Sequence, residues 1–373
     1  MRVIAFYLPQ FHEIPENNEW WGEGFTEWTN VKTARPLYSG HYQPREPIND
    51  NYYDLLNDDV KEWQVSIAKK NGIYGFCFYH YWFDGKMLLE KPVEQFLKNK
   101  NLDINFCLSW ANEPWTKAWV SKNDSILIEQ NYGNEENWEK HFDYLLPFFK
   151  DSRYICNDGK PLFVIYRPEQ IGCLNEMLDY WQILAKKNGL AGIDFAYQHI
   201  DFDLLKDKDD SRFAYNIEYE PLYAMNDMTN PIKKFLISSL KFIDNFTQKI
   251  VSKKASELYL KKVRTLSYDD VWAASLIDEN KDKKKIAGAF VDWDNTPRRG
   301  TKGLVIKDAT PDKFYKYFDL KIKQVKKSYS TDMIFIFAWN EWAEGGYLEP
   351  DKKFNDNYLK SVKEALANND ELR

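Results

Sequence analysis

The 373-residue sequence is 44% hydrophobic and 29% charged, a composition that fits a folded globular protein and excludes wholesale disorder. Its net charge of −6 gives no support for nucleic acid or an anionic membrane surface as partner. Aromatic residues make up 17% of the chain, including 14 Trp and 24 Tyr. Rings with a flat apolar face and a polar tip suit either an aromatic-rich core or a surface that grips sugars.

Short apolar runs recur along the chain, each followed by a polar or aromatic loop and then by a segment of helical period. They predict strands at Val3–Tyr7, Gly75–Tyr79, Ile104–Trp110, Leu162–Tyr166, Phe195–His199, Phe213–Ile217, Ala287–Asp292 and Ile334–Trp339. Eight such units predict a closed (β/α)8 TIM barrel forming one catalytic domain over residues 1–373. Helices are expected at 58–70, 91–100, 135–149, 174–187, 311–327 and 355–367; those at 58–70 and 174–187 each stop at an Asn-Gly pair.

Two connections are too long for a simple βα turn. The first βα loop, Pro9 to Asp50, is rich in Trp, Glu, His and Pro, a composition that argues for ordered functional structure. Between strands six and seven a helical insertion is expected at about 220–285, where the lysines from Lys233 to Lys285 read as solvated helix faces. The apolar run at Val3–Leu8 is too short for a leader, and no run of about 20 apolar residues is present. A cytoplasmic protein without an integral membrane segment is expected. Cys77, Cys107, Cys156 and Cys173 lack metal or redox spacing; Cys77 and Cys107 read as buried thiols.

In such a barrel the chemistry collects where the strands end. Those ends carry Tyr7, Tyr79 and His80, then Trp110, Asn112, Glu113 and Trp115, then Tyr166, Gln198 and Trp293, and finally Asn340, Glu341, Trp342 and Glu344. Glu27 and Trp28 join them from the first loop. Carboxyl groups can handle the protons and oxocarbenium charge of glycoside cleavage while rings stack on sugar faces. Glu341 and Glu344 are the expected catalytic residues, and the others the expected substrate-binding residues. Protonating a leaving oxygen needs one carboxyl kept neutral by burial among rings such as Trp339 and Trp342, while its partner stays ionised. Asp292-Trp293-Asp294 has the superficial spacing of a metal motif, but Trp293 reads better as a sugar platform, and no metal site is assigned.

The segment Trp339-Asn340-Glu341-Trp342-Ala343-Glu344-Gly345-Gly346-Tyr347-Leu348-Glu349-Pro350 resembles the signature of glycoside hydrolase family 99-like proteins. The opening Ala5 to His12, the run Trp20 to Trp28, Phe78 to Trp82 and Trp110 to Trp115 resemble the WbsX-type polysaccharide-biosynthesis branch. The resemblance implies a (β/α)8 barrel and action on a polysaccharide or lipid-linked glycan; a polysaccharide or oligosaccharide substrate is expected, and no cofactor, since two carboxylates suffice for acid/base glycoside cleavage. It further implies Glu344 as acid/base and Glu341 as the group that removes the proton of the substrate's own 2-hydroxyl.

The expected activity is therefore a glycoside hydrolase or transglycosylase of an α-linked bacterial surface glycan. Alternatives are a glycosyltransferase of lipopolysaccharide O-antigen or capsule biosynthesis and a non-catalytic glycan-binding barrel. The sequence leaves the sugar, the linkage and the oligomeric state open.

Overall fold

The computed structural model describes residues 1–116, 126–200, 210–228, 263–277 and 282–372. Eight parallel strands close into a barrel: β1 (Arg2–Tyr7), β2 (Gly75–Phe83), β3 (Asn105–Trp110), β4 (Lys160–Ile165), β5 (Asp194–His199), β6 (Phe213–Glu218), β7 (Lys285–Phe290) and β8 (Met333–Phe337). Each pairs in parallel with the next, and β1 pairs with both β2 and β8, so the sheet has no free edge. The apolar runs thus become strands buried on both faces, as a helix-wrapped parallel sheet requires.

The outer helices are α1 (Asp58–Lys70), α2 (Lys91–Lys98), α3 (Glu135–Phe149), α4 (Leu174–Lys187), α5 (Tyr268–Leu276), α6 (Pro311–Ser328) and α7 (Asn357–Asn368). None of the described helices is long and apolar enough to cross a membrane. α1 shows how sequence sets these boundaries: the Asn57 side chain accepts the Asp59 N–H at its start, and Asn71-Gly72 stops it, with Gly72 at φ +82°.

The expected insertion is only partly within the described residues: 229–262 and 278–281, with most of the lysine-bearing stretch, lie outside them. What is described there is not wholly helical. A short helix at Leu222–Asp227 is joined by a strand at Arg264–Ser267, which pairs in parallel with Leu304–Lys307 as a ribbon beside the barrel.

Strand period decides which side chains reach the barrel axis. Phe6 packs against Tyr79, Tyr219 and Phe335, and Gln198 Nε2 donates to Ser109 Oγ at 3.1 Å, so these residues face inward. Cys77 and Cys107 stand side by side in register, both fully buried. The opposite parity faces the helices: Tyr7 O–H donates to Gln64 of α1 at 2.7 Å, His80 meets His141 of α3, and Trp110 packs on His141 and Trp181.

The first loop is ordered, with short helices at Pro15–Trp21 and Glu27–Thr33. One buried carboxylate fastens it to the barrel. Glu349 accepts from Gln64 Nε2 (2.7 Å), Tyr53 O–H (2.8 Å) and Trp342 Nε1 (2.7 Å), joining α1, the first loop and the β8 loop. Replacing Glu349 by Ala would leave three buried donors unpaired, each worth roughly 1–3 kcal/mol. Glu349→Ala is predicted to lower the unfolding free energy by about 3 kcal/mol or more, measured as a shift of the denaturant midpoint.

Candidate active site

A cavity of about 280 Å³ opens at the C-terminal end of the barrel, lined by residues from the ends of seven of the eight strands. This is the face where barrel enzymes carry their chemistry. Its acidic wall is built by the β8 loop. Asn340 and Glu341 pair antiparallel with Gly346 and Tyr347, a tight turn spans Trp342–Glu344, and Gly345 reverses the chain at φ +73°. That short excursion projects Glu341 and Glu344 into the cavity.

Two asparagines hold the loops that carry the glutamates. Asn340 Oδ1 accepts the Leu8 N–H at 2.8 Å while its Nδ2 donates to the Leu8 carbonyl at 3.0 Å, tying the end of β8 to that of β1. Asn112 does the same between β3 and β4: it accepts the Arg167 N–H at 2.8 Å and donates to the Arg167 carbonyl at 2.8 Å. In each Asn-Glu pair the amide fixes the backbone and the following carboxylate, Glu341 or Glu113, faces the cavity.

The centre of the acidic wall is Arg298. Its Nε and Nη2 donate to Glu27 Oε1 at 2.9 and 2.7 Å, its Nη1 to Glu344 Oε1 at 2.6 Å, and its Nη2 reaches Glu341 Oε2 at 3.3 Å. One cation buried among three carboxylates leaves negative charge in excess, and burying uncompensated charge is costly. A retained proton relieves it. Burial pushes the Glu341 carboxyl up to about 8, opposed by Arg298 and reinforced by the charges of Glu344 and Glu27. Burial likewise raises Glu27, against the pull of Arg298. The carboxyl that burial favours in its neutral form is that of Glu341, whose contact with the guanidinium is the longest of the three.

Across the cavity stand Tyr79, Tyr81, Tyr166, Tyr219 and Trp115, with the Tyr79 and Tyr219 hydroxyls 2.8 Å apart. Glu113 faces the same space, half-exposed, with Arg167 Nε 3.7 Å away. Burial raises its carboxyl as well. Trp21 and Phe25 of the first loop add two half-buried rings to the wall.

Of the residues expected at the site, Glu27, Tyr79, Glu113, Trp115, Tyr166, Glu341 and Glu344 meet at the cavity. The others do not line it, and each has a physical reason. Tyr7, His80 and Trp110 have outward parity and pack against helices. Trp28 donates to the Tyr53 carbonyl inside the first loop, and Trp342 stacks on Tyr347 with its N–H on Glu349. Asn112 and Asn340 are backbone clamps, and Gln198 is buried beneath the cavity against Ser109. Trp293 is buried against Phe337, which removes the platform proposed for it.

The flanking Asp292 accepts from Arg45 Nη2 at 2.8 Å, and Asp294 from His41 and Gln43 at 2.7 Å each and from Thr296. Those oxygens fasten the tail of the first loop. Among the described residues no cluster of three or more His, Cys, Asp or Glu could hold a metal ion.

Sequence reasoning missed Arg298, Tyr81 and Tyr219. Tyr81 follows Tyr79 by one strand period and was legible on that ground. Arg298 lies beyond the end of β7 in the short helix Thr296–Arg299, and its only signal was a basic pair shortly after Asp292-Trp293-Asp294.

A family model described as Glycosyltransferase WbsX matches residues 3–362. Two curated relatives, both called Uncharacterized protein WxcX and both from Xanthomonas campestris pv. campestris, are 32% identical over 370 residues (strain B100) and 33% over 369 (strain ATCC 33913). Each match covers 98% of this chain and 49% of the relative, so the chain spans about half the length of these proteins. Among solved structures the fold is similar to the GH99 endo-alpha-mannosidase from Bacteroides thetaiotaomicron, with a TM-score of 0.51 and 14% identity over 98% of this chain and 97% of that one. It is also similar to a glycoside hydrolase-like protein, with a TM-score of 0.56 and 12% identity over 98% and 93%.

The raised Glu341 carboxyl has a consequence for stability. The folded chain holds a proton there that the unfolded chain releases near the usual carboxylate range, so stability falls as pH rises between that range and about 8. Glu341→Gln removes this liability. Its advantage in unfolding free energy over the parent protein, measured by denaturant titration at each pH, is predicted to widen from pH 5 to pH 8 by on the order of 1 kcal/mol per pH unit, and then to level off.

Proposed function

The chain belongs to the WbsX family, and from that premise we propose that it is a glycoside hydrolase-like enzyme that cleaves or transfers an α-linked sugar of a bacterial surface polysaccharide, with Glu341 and Glu344 as the working pair. The observation that carries this reading is two glutamates on one guanidinium, facing a cavity whose opposite wall is aromatic. Carboxyl pairs of this kind need no cofactor to break a glycosidic bond.

Chemistry of this type requires one proton on the pair. The protonated member gives it to the departing oxygen while the ionised member takes one from an attacking hydroxyl. Following the family resemblance, Glu344 is the donor and Glu341 removes the proton of the sugar's 2-hydroxyl, so that oxygen closes on the anomeric carbon as the leaving group departs; the proton that burial favours on Glu341 in the empty cavity must therefore stand on Glu344 once the glycan is bound. The raised affinity of Glu341 for a proton makes it the stronger base, which suits a hydroxyl as weakly acidic as a sugar's. Trp115 and Tyr166, both half-buried, offer stacking surfaces for the pyranose, and Glu113 offers a half-exposed carboxylate to its hydroxyls.

The family's name suggests glycosyl transfer, and the same carboxyl pair serves transfer when a sugar hydroxyl replaces water as acceptor. A sugar-nucleotide donor fits this cavity poorly. Its diphosphate would meet Glu27, Glu341 and Glu344, while Arg298, the guanidinium that lines the cavity, is already engaged by glutamates. We therefore place the transferase reading on the acceptor side, as transglycosylation.

Two measurements test the proposal on a panel of α-linked oligosaccharides from surface polysaccharides. Glu344→Gln is expected to lose at least about 100-fold in turnover on these glycans, and far less on aryl glycosides whose leaving group needs no proton. Glu341→Gln is expected to lose turnover on both, with binding retained in each variant; full activity of either variant would remove it from the pair. The pH profile of kcat/KM in the parent protein is expected to fall above about pH 8, where the pair loses its last proton.

A further inference from the structure

Glu27 was expected to bind sugar, and it does line the cavity. Its geometry assigns it a different task. A guanidinium offers five N–H donors in a rigid plane, so a carboxylate that takes one edge decides where the rest can point. Glu27 Oε1 takes the Nε and Nη2 edge of Arg298 at 2.9 and 2.7 Å, leaving Nη1 for Glu344 at 2.6 Å and only a 3.3 Å contact for Glu341. The Glu27 side chain is 2% exposed, against 13% for Glu344, so it is set behind the guanidinium rather than offered to a ligand.

Glu27 is also delivered from outside the β7 and β8 loops. It opens the helix Glu27–Thr33, with its N–H on the Gln10 carbonyl. The tail of the same loop is fastened to the Arg298-bearing segment by Gln43 and His41 on Asp294 and by Arg45 on Asp292.

We propose that Glu27 is a positioning residue: it holds the Arg298 guanidinium on Glu344 and withholds it from Glu341, so that the first loop sets the working state of a catalytic pair to which it contributes no catalytic group. This rests on Glu341 and Glu344 being that pair. The charged and titratable groups around Glu341 are Arg298, Glu344, Glu27 and the tyrosines Tyr79, Tyr81, Tyr166 and Tyr219. Of these, Glu27 alone comes from the first loop. Removing its charge acts on Glu341 in one direction twice over: a repelling carboxylate is lost, and the guanidinium is freed to swing toward Glu341.

The test needs no substrate. Protein labelled with carbon-13 at the glutamate carboxyls is titrated by NMR, the Glu341 signal being identified by its loss in Glu341→Gln. The midpoint of Glu341, near 8 in the parent protein, is expected to fall by about one pH unit or more in Glu27→Gln. Glu27→Asp, which keeps the charge and shortens the reach, is expected to produce a smaller fall and serves if the glutamine variant does not fold. Gln43→Ala, which loosens the loop tail and leaves Glu27 in place, is expected to leave the midpoint where it is. A midpoint that stays or rises in Glu27→Gln and Glu27→Asp, or one that Gln43→Ala moves as far, overturns the proposal. A raised KM in Glu27→Gln with an unmoved midpoint identifies Glu27 as a sugar ligand instead. Should the catalytic reading itself be wrong, Glu341→Gln and Glu344→Gln retain turnover whatever the midpoint does, so the two failures are distinguishable.

Discussion

The acidic wall of the cavity depends on a single buried cation. Three glutamates approach Arg298 from two directions, one on the first loop and two on the loop after β8, while the arginine comes from the loop after β7. Without it, three carboxyl groups in a space largely closed to water would have to take up protons or move apart. With it they stay together but remain two charges out of balance, and burial of that excess favours a retained proton in the cavity at neutral pH. A structural requirement of burial therefore supplies what acid–base chemistry needs.

The barrel makes this possible by dividing labour along each strand. Inward residues such as Phe6, Cys77 and Cys107 fill the axis, and outward ones such as Tyr7, His80 and Trp110 bind the helices. The last inward positions are left to face the cavity. The first loop closes the arrangement on one side, seated by Glu349 at the barrel and by Asp292 and Asp294 at the β7 loop. These three carboxylates hold the frame, and Glu27, Glu341 and Glu344 form the wall inside it.

Much of this was legible in the sequence, and the misses have a common origin. The eight apolar runs locate all eight strands, although β7 and β8 end two residues earlier than expected, at Phe290 and Phe337. Proximity to a strand end does not say which way a side chain points. A one-residue step turns Tyr79 toward the cavity and His80 toward α3, and no motif distinguishes them without the register. The Trp-rich signature around Glu341 suggested stacking platforms, but an indole whose N–H already serves Glu349, as in Trp342, belongs to the frame. Arg298 was hidden for another reason: its importance lies in what converges on it from residues 27, 341 and 344, and such convergence is a property of the fold.

The two asparagine clamps give each loop a shape that does not depend on the acid beside it. Because Asn112 and Asn340 each hold both the N–H and the carbonyl of one residue at the neighbouring strand end, the side chain at the next position is free to vary while the loop keeps its course. A lineage could exchange the glutamate at either place for an amide, a hydroxyl or a longer acid and alter what the cavity accepts without first having to rebuild the rim. The same logic makes the amides themselves intolerant of change: an aspartate at position 340 would set a carboxylate oxygen against the Leu8 carbonyl. New specificities in this scaffold should therefore arise one position downstream of an unchanging asparagine.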